Sequence, residues 1–141
     1  MLLLCFDDTT DTTSATTGSV HTDGGVGVAK NLFVGGLIQR SVTNGITAGS
    51  TQTQAGATAL TTDINRVTVV ATASDGVKLP TAAGGYEILI INDDSTDALQ
   101  VWPASDDKID GGSADAVDAN TLAAGAARRY IAVGSVNWYT A

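Results

Sequence analysis

The residues best equipped to bind a cation are gathered in Asp106-Asp107-Lys108-Ile109-Asp110-Gly111-Gly112. Asp106 and Asp110 take the first and fifth places of a calcium-loop template and Gly111 follows, but Lys108 stands where the third place needs an oxygen ligand and no Glu closes the loop. An EF-hand is therefore excluded. The run reads as a solvated turn, with a looser calcium site as the alternative. His21 is the single histidine, so a His-based metal cluster within one chain is impossible and a Ser-His-Asp triad would have to use this residue. Three copies around an axis would bring three imidazoles together, the arrangement a metal or anion needs; the plainer reading is an exposed or axis-lining side chain.

Other chemistry is poorly supplied. Gly25-Val26-Gly27 opens like a dinucleotide fingerprint, but Lys30 takes the sixth place and neither a buried strand before it nor a helix pattern after it is present. Val28-Ala29-Lys30 lacks the glycine directly before lysine that a phosphate-binding loop requires. Glu87 is flanked by a strand pattern and is expected to pair with Arg128 or Arg129; acid catalysis would need a partner carboxylate that the sequence does not place. Trp102, Trp138, Tyr86, Tyr130 and Tyr139 offer faces suited to sugar rings as well as to a core, and core or subunit packing is the preferred reading. No catalytic residue, cofactor or metal site is expected.

The elements that would carry these residues are strands. Runs of strand length at 66–73, 77–79, 86–91, 98–102, 128–133 and 136–139 alternate with turn signals such as Ser74-Asp75-Gly76, Asn92-Asp93-Asp94-Ser95 and Gly111-Gly112-Ser113. Ile88-Leu89-Ile90-Ile91 is apolar at every position, the pattern of a central strand covered on each side. The Ala-rich stretch 114–127 competes as a helix, but Gly125 and its Asp and Asn reduce it to a turn or two. Short strands separated by turns predict an all-β fold, with a β-sandwich or jelly-roll-like domain over 57–141.

Ahead of that domain lies a Gly-rich segment, 17–40. Val26, Val28, Leu32 and Val34 fall on every second position, interrupted by Lys30, and alternate with Gly25, Gly27, Ala29 and Asn31. This is strand periodicity with one face nearly bare. An isolated ribbon is marginal in water and glycine weakens it further, so its neighbours are expected to be copies of itself, with those four apolar residues at the interface between copies. Residues 41–56, rich in Ser, Thr, Gly and Gln with a turn at Asn44-Gly45, read as a linker. Residues 1–16 join an apolar tip, Met1-Leu2-Leu3-Leu4-Cys5-Phe6, to an Asp- and Thr-rich tract that reads as an extended arm. Leu2, Leu3, Leu4 and Phe6 are costly to leave in water and are expected to anchor the arm, either on a partner or within the chain's own assembly.

Composition narrows the partners. In 141 residues the formal charge is −8, which argues against nucleic acid or an anionic membrane surface, since both call for a basic footprint. Cys5 is the single cysteine, so packing or assembly must hold the fold. No run approaches the roughly 18 apolar residues of a membrane span. The apolar tip is too short and too acidic in its sequel for a signal peptide.

Thr17-Gly18-Ser19-Val20 and the following Gly24-Gly25-Val26-Gly27-Val28-x-Lys30-Asn31-Leu32-x-Val34-Gly35-Gly36 resemble a recurrent segment of fibres, spikes and capsid-surface proteins of tailed bacteriophages. The order Gly76-Val77-Lys78-Leu79-Pro80, Gly84-Gly85, Ile90-Ile91-Asn92, Leu99-x-Val101-x-Pro103, Tyr130 and Trp138 is similar to small β domains of phage virion proteins. The resemblance implies a short intertwined β segment in a homotrimer, and no catalytic residues. The expected role is a non-enzymatic capsid decoration or cement protein on the virion surface, with the major capsid protein or another virion platform as partner. A short chain with an initiator methionine and an anchor-like terminus suits such a part. The alternative is the receptor-binding tip of a tail or head fibre, recognising host glycan. A glycan-degrading spike is disfavoured because no carboxylate pair is in evidence.

Overall fold

The structure, a computed structural model, describes residues 24–141. The chain divides into two units, Met1–Ile38 and Gln39–Ala141. Leu2, Leu3, Leu4, Phe6, Cys5 and His21, and with them the expected arm, lie outside the described residues.

In the first unit the described residues contain no strand. The alternation from Val26 to Val34 is present, yet Val26, Val28, Leu32 and Val34 are all exposed. A strand needs a neighbour for its N–H and C=O groups, and none of the described residues supplies one here.

The second unit is all β. Its strands are β1 (Val42–Thr47), β2 (Thr58–Ala59), β3 (Ile64–Val69), β4 (Gly76–Lys78), β5 (Glu87–Asn92), β6 (Gln100–Trp102), β7 (Lys108–Ile109), β8 (Ala127–Ala132) and β9 (Asn137–Thr140). They form a six-stranded sheet, β1-β3-β5-β8-β9-β7, and a three-stranded sheet, β2-β4-β6. The first six strands alternate between the sheets, and each lies parallel to the previous strand of its own sheet. Val42, Ile64 and Leu89 therefore stand in one row, as do Thr58, Val77 and Val101. A parallel neighbour requires a long crossover, and here a strand of the opposite sheet makes it. β8 then adds antiparallel to β5, β9 antiparallel to β8, and β7 closes the edge parallel to β9. The pairing is thus mixed, where a jelly roll would be antiparallel throughout.

β1 occupies the stretch expected to be a linker. Asn44-Gly45 is not a turn there: Gly45 takes a φ of 80° and the register with β3 slips between Asn44 and Ile46, a bulge inside the strand. Residues 114–127 form turns and a bridge of Leu122 to Leu99, with no helix.

One apolar cluster draws side chains from both sheets, among them Ile46, Val67, Ile90, Tyr130 and Trp138 of the larger and Val77 and Val101 of the smaller. Each fully buried aliphatic residue stabilises by roughly 1.5–3 kcal/mol. β5 is central, as its apolar run predicts, but only Ile88, Ile90 and Asn92 are buried; Leu89 and Ile91 face outward and are half-buried. Asn92, fully buried, donates to the carbonyls of Asp97 and Leu122 and accepts from the Asp94 amide, so the turn after β5 and the segment before β8 are tied to one side chain.

Candidate functional site

The outward positions of the larger sheet follow from register. Val42, Ile64, Leu89 and Arg129 share one row, Asn44, Arg66, Ile91 and Ala127 the next, and Glu87, Ile131 and Tyr139 a third. This face is a mixture of aliphatic rows and charge. Glu87 accepts from Arg40 at 3.1 Å and lies 3.7 Å from Arg129; Arg66 pairs with Asp93 and donates to Asn44. A cleft of about 310 Å³ opens among Arg40, Glu87, Leu89, Ala127, Arg129 and Ala141. The Glu87–Arg129 pairing is the one the sequence suggested, a diagonal across two antiparallel strands. Arg40 is an additional partner that no local pattern could announce, since it lies 47 residues away.

Arg128 goes elsewhere. Its guanidinium meets Asp118 at 2.9 Å, and Tyr130 donates to the same carboxylate oxygen at 2.7 Å. Asp118 and Tyr130 are buried. Burial, reinforced by the adjacent carboxylate, pushes the Tyr130 hydroxyl far above the ordinary phenol range. A tyrosine so hard to ionise is a hydrogen-bond donor, not a base.

A second cleft, about 370 Å³, lies among Thr61, Thr62, Asp63, Pro80, Tyr86 and Ile88. Tyr86 is 53% exposed. Ser41 caps Asp63 by donating to it from both amide and hydroxyl, and accepts the Asp63 amide in return. An aromatic face beside threonine hydroxyls and a carboxylate can take a polar ring-shaped ligand.

The Asp-rich run does not converge. Asp107 is buried and accepts from the Ala82 amide at 2.7 Å, Asp110 accepts from the amide and hydroxyl of Thr140, and the Asp106 amide donates to Asp115. Among the described residues no group of three His, Cys, Asp or Glu side chains is placed to hold a metal ion. The aromatic residues also part company: Trp138 and Tyr130 are in the core, whereas Tyr86 and Tyr139 are exposed. No family model, no curated protein and no solved structure matches this chain.

Proposed function

We propose that the protein is a homotrimeric, non-enzymatic structural component of a tailed-phage virion surface, acting as a capsid decoration protein. The observation that carries this reading is the exposure of the Gly-rich segment. Phe33 is 92% and Leu37 100% exposed, and Val26, Leu32 and Ile38 are little better covered. A contiguous apolar run that forms no strand with any of the described residues is unfavourable in water and marks an association surface. Its strand alternation and bare glycine face fit two further copies of the same segment wound about one axis. The resemblance of this segment to phage fibre and capsid-surface proteins supports a virion-surface location. The two sheets around a common core support a sandwich-like second unit. Molar mass measured by light scattering at micromolar concentration tests the reading: a trimer is expected, and a monodisperse monomer overturns it.

The second reading, a fibre-tip module that recognises host glycan, is favoured by one feature, the Tyr86 cleft with Thr61, Thr62 and Asp63 on its rim. Glycan-array binding abolished by Tyr86→Ala would support it. Binding undiminished in that variant, or absent from the parent, removes it.

A further inference from the structure

Strands β1 to β6 stack as successive turns of one coil, and the last turn is covered: β5 has β8 beside it, and Leu99, ahead of β6, bridges to Leu122. The first turn is not. β1 and β2 are outermost in their sheets, and among the described residues neither has a strand on its open side. β2 is only two residues long, too short to serve as a template. β1 is six residues long and contains no Lys, Arg, Asp, Glu or Pro. Proteins usually blunt an exposed edge with such residues, and the opposite edge of the same sheet follows that rule: β7 has two residues, one of them Lys108, flanked by Asp107 and Asp110. In β1 only the bulge at Gly45 interrupts pairing, and ahead of it Val42, Thr43 and Asn44 keep regular register with β3. The Ser41 carbonyl accepts from the Ile64 amide, so by the alternation of a parallel ladder Val42 and Asn44 aim their amides and carbonyls at the open side. Val42 also ends the outer row of Ile64 and Leu89, at 59% exposure.

Resting on the homotrimer reading above, we propose that this edge receives residues 26–34 of a neighbouring copy as an added strand. Each part supplies what the other lacks. The segment alternates apolar side chains with small ones and forms no strand with any of the described residues, while β1 holds open backbone groups beside an uncovered valine. Pairing gives main-chain hydrogen bonds to both, the mode by which extended segments join sheet edges. A strand laid along β1 sets one of Val26, Val28, Leu32 or Val34 next to Val42 and lengthens the aliphatic row; its bare face needs no room on the other side. At about 3.3 Å per residue the run reaches roughly 30 Å, more than the edge it covers. Arg40 is held by Glu87 and Ser41 by Asp63, so the chain enters its own β1 from a fixed point. The hairpin that Gly35-Gly36 could make is open, with Phe33 and Leu37 on either side of it 92% and 100% exposed. An open hinge of this kind favours exchange of the segment between copies, a low-cost route to an oligomer. Each copy then gives one strand and takes one, a heterologous contact that closes as a ring.

The test uses the full chain. Proline is tolerated at the first position of an edge strand, where its missing amide faces the open side, so Val42→Pro should leave the melting transition of the second unit in place. The trimer dissociation constant from sedimentation equilibrium should rise at least tenfold. If far-UV circular dichroism shows that variant misfolded, Val42→Lys takes its place, since lysine guards an edge without removing a backbone donor, and the same loss is expected. The source of the strand is read by replacing Val42 with the photo-crosslinker p-benzoylphenylalanine in protein labelled with light and heavy nitrogen, the two forms mixed by dilution and reconcentration. Adducts joining this position of one label to residues 26–34 of the other are expected. Adducts confined to one label would mean that the chain folds back on itself. Adducts elsewhere, or a dissociation constant changed less than twofold, would mean that the edge does not take the segment. Any of these overturns the strand exchange. A trimer that persists alongside such a result leaves the homotrimer reading standing, with the Gly-rich segments held by one another; a monomeric parent removes both.

Discussion

Tyr130 donates its hydroxyl proton to Asp118 across 2.7 Å, at a point where both residues are shut off from solvent. Arg128 reaches the same carboxylate and also donates to the Asn120 carbonyl. The loop ahead of β8 is thereby fastened to β8 by a buried charge with all its strong partners in place. Removing one partner of a buried ion pair typically costs 3–5 kcal/mol, because the other charge is left uncompensated. Asp118→Ala should lower stability by about 3 kcal/mol in urea unfolding, and Tyr130→Phe by about 1.5 kcal/mol, the worth of one hydrogen bond to a charged acceptor. Equal stability of Asp118→Ala and the parent would mean that the loop is held by other means.

The same contact governs alkaline behaviour. Tyr130 has a folded-state pKa above its unfolded value, so its contribution is fully present below about pH 10 and is lost as pH rises beyond that. Tyr130 should stay protonated until the protein unfolds. Absorbance titration near 295 nm should give the same curve for the parent and Tyr130→Phe up to the alkaline unfolding transition; an earlier difference contradicts this.

At the acid end Asp94 takes the corresponding role. Amides of Asp97, Thr96 and Val70 converge on its carboxylate and lower its pKa to about 2. A depressed carboxylate stabilises the fold above its unfolded pKa, near 3.8, and the benefit disappears as pH falls toward 2. Asp94→Asn should be less stable than the parent at pH 6, and the gap should close as pH falls through about 2. A gap that is constant with pH would show that the titration of Asp94 does not matter.

Gly49 and Gly76 exchange amide-to-carbonyl hydrogen bonds at 2.9 and 3.0 Å, joining the end of β1 to the start of β4. A Cβ on Gly49 would fall 1.9 Å from the Gly56 carbonyl oxygen and 2.9 Å from the Ala57 Cα. Backbone cannot swing aside as a side chain can. Gly49→Ala should cost about 2 kcal/mol or more, the upper range of overpacking, read as a shift of the urea midpoint. A shift within error would mean that the β1–β2 connection relaxes freely.

For the Gly-rich segment, Val28→Asp tests assembly directly. If Val28 lies in a seam between copies, an unpaired charge there costs several kcal/mol in each chain. On the homotrimer reading, the variant should fail to form the trimer while the second unit keeps its melting transition. A trimer as heat-stable as the parent's would take Val28 out of any seam.

Local pattern alone determined a good part of this protein. The apolar run from Ile88 to Ile91 announced the central strand β5, and the alternations at 77–79, 98–102, 128–133 and 136–139 located β4, β6, β8 and β9 to within a residue or two. Those signals are local because a strand's two faces meet different surroundings at every second residue. β1 was hidden by Asn44-Gly45, a turn signature that becomes a bulge only because β3 is there to pair with it. β2 and β7, two residues each, are too short to carry a period at all. Which strands run parallel, that Arg40 reaches Glu87, and that Asp118 lies beneath Arg128 and Tyr130 were decided by the tertiary structure. Each joins segments that the chain brings together only when both sheets close over one core, and no periodicity in a short window records such a meeting. Val26, Val28, Leu32 and Val34 mark the same boundary from the other side: their alternation is written in the sequence, but a strand forms only where a neighbour completes its hydrogen bonds.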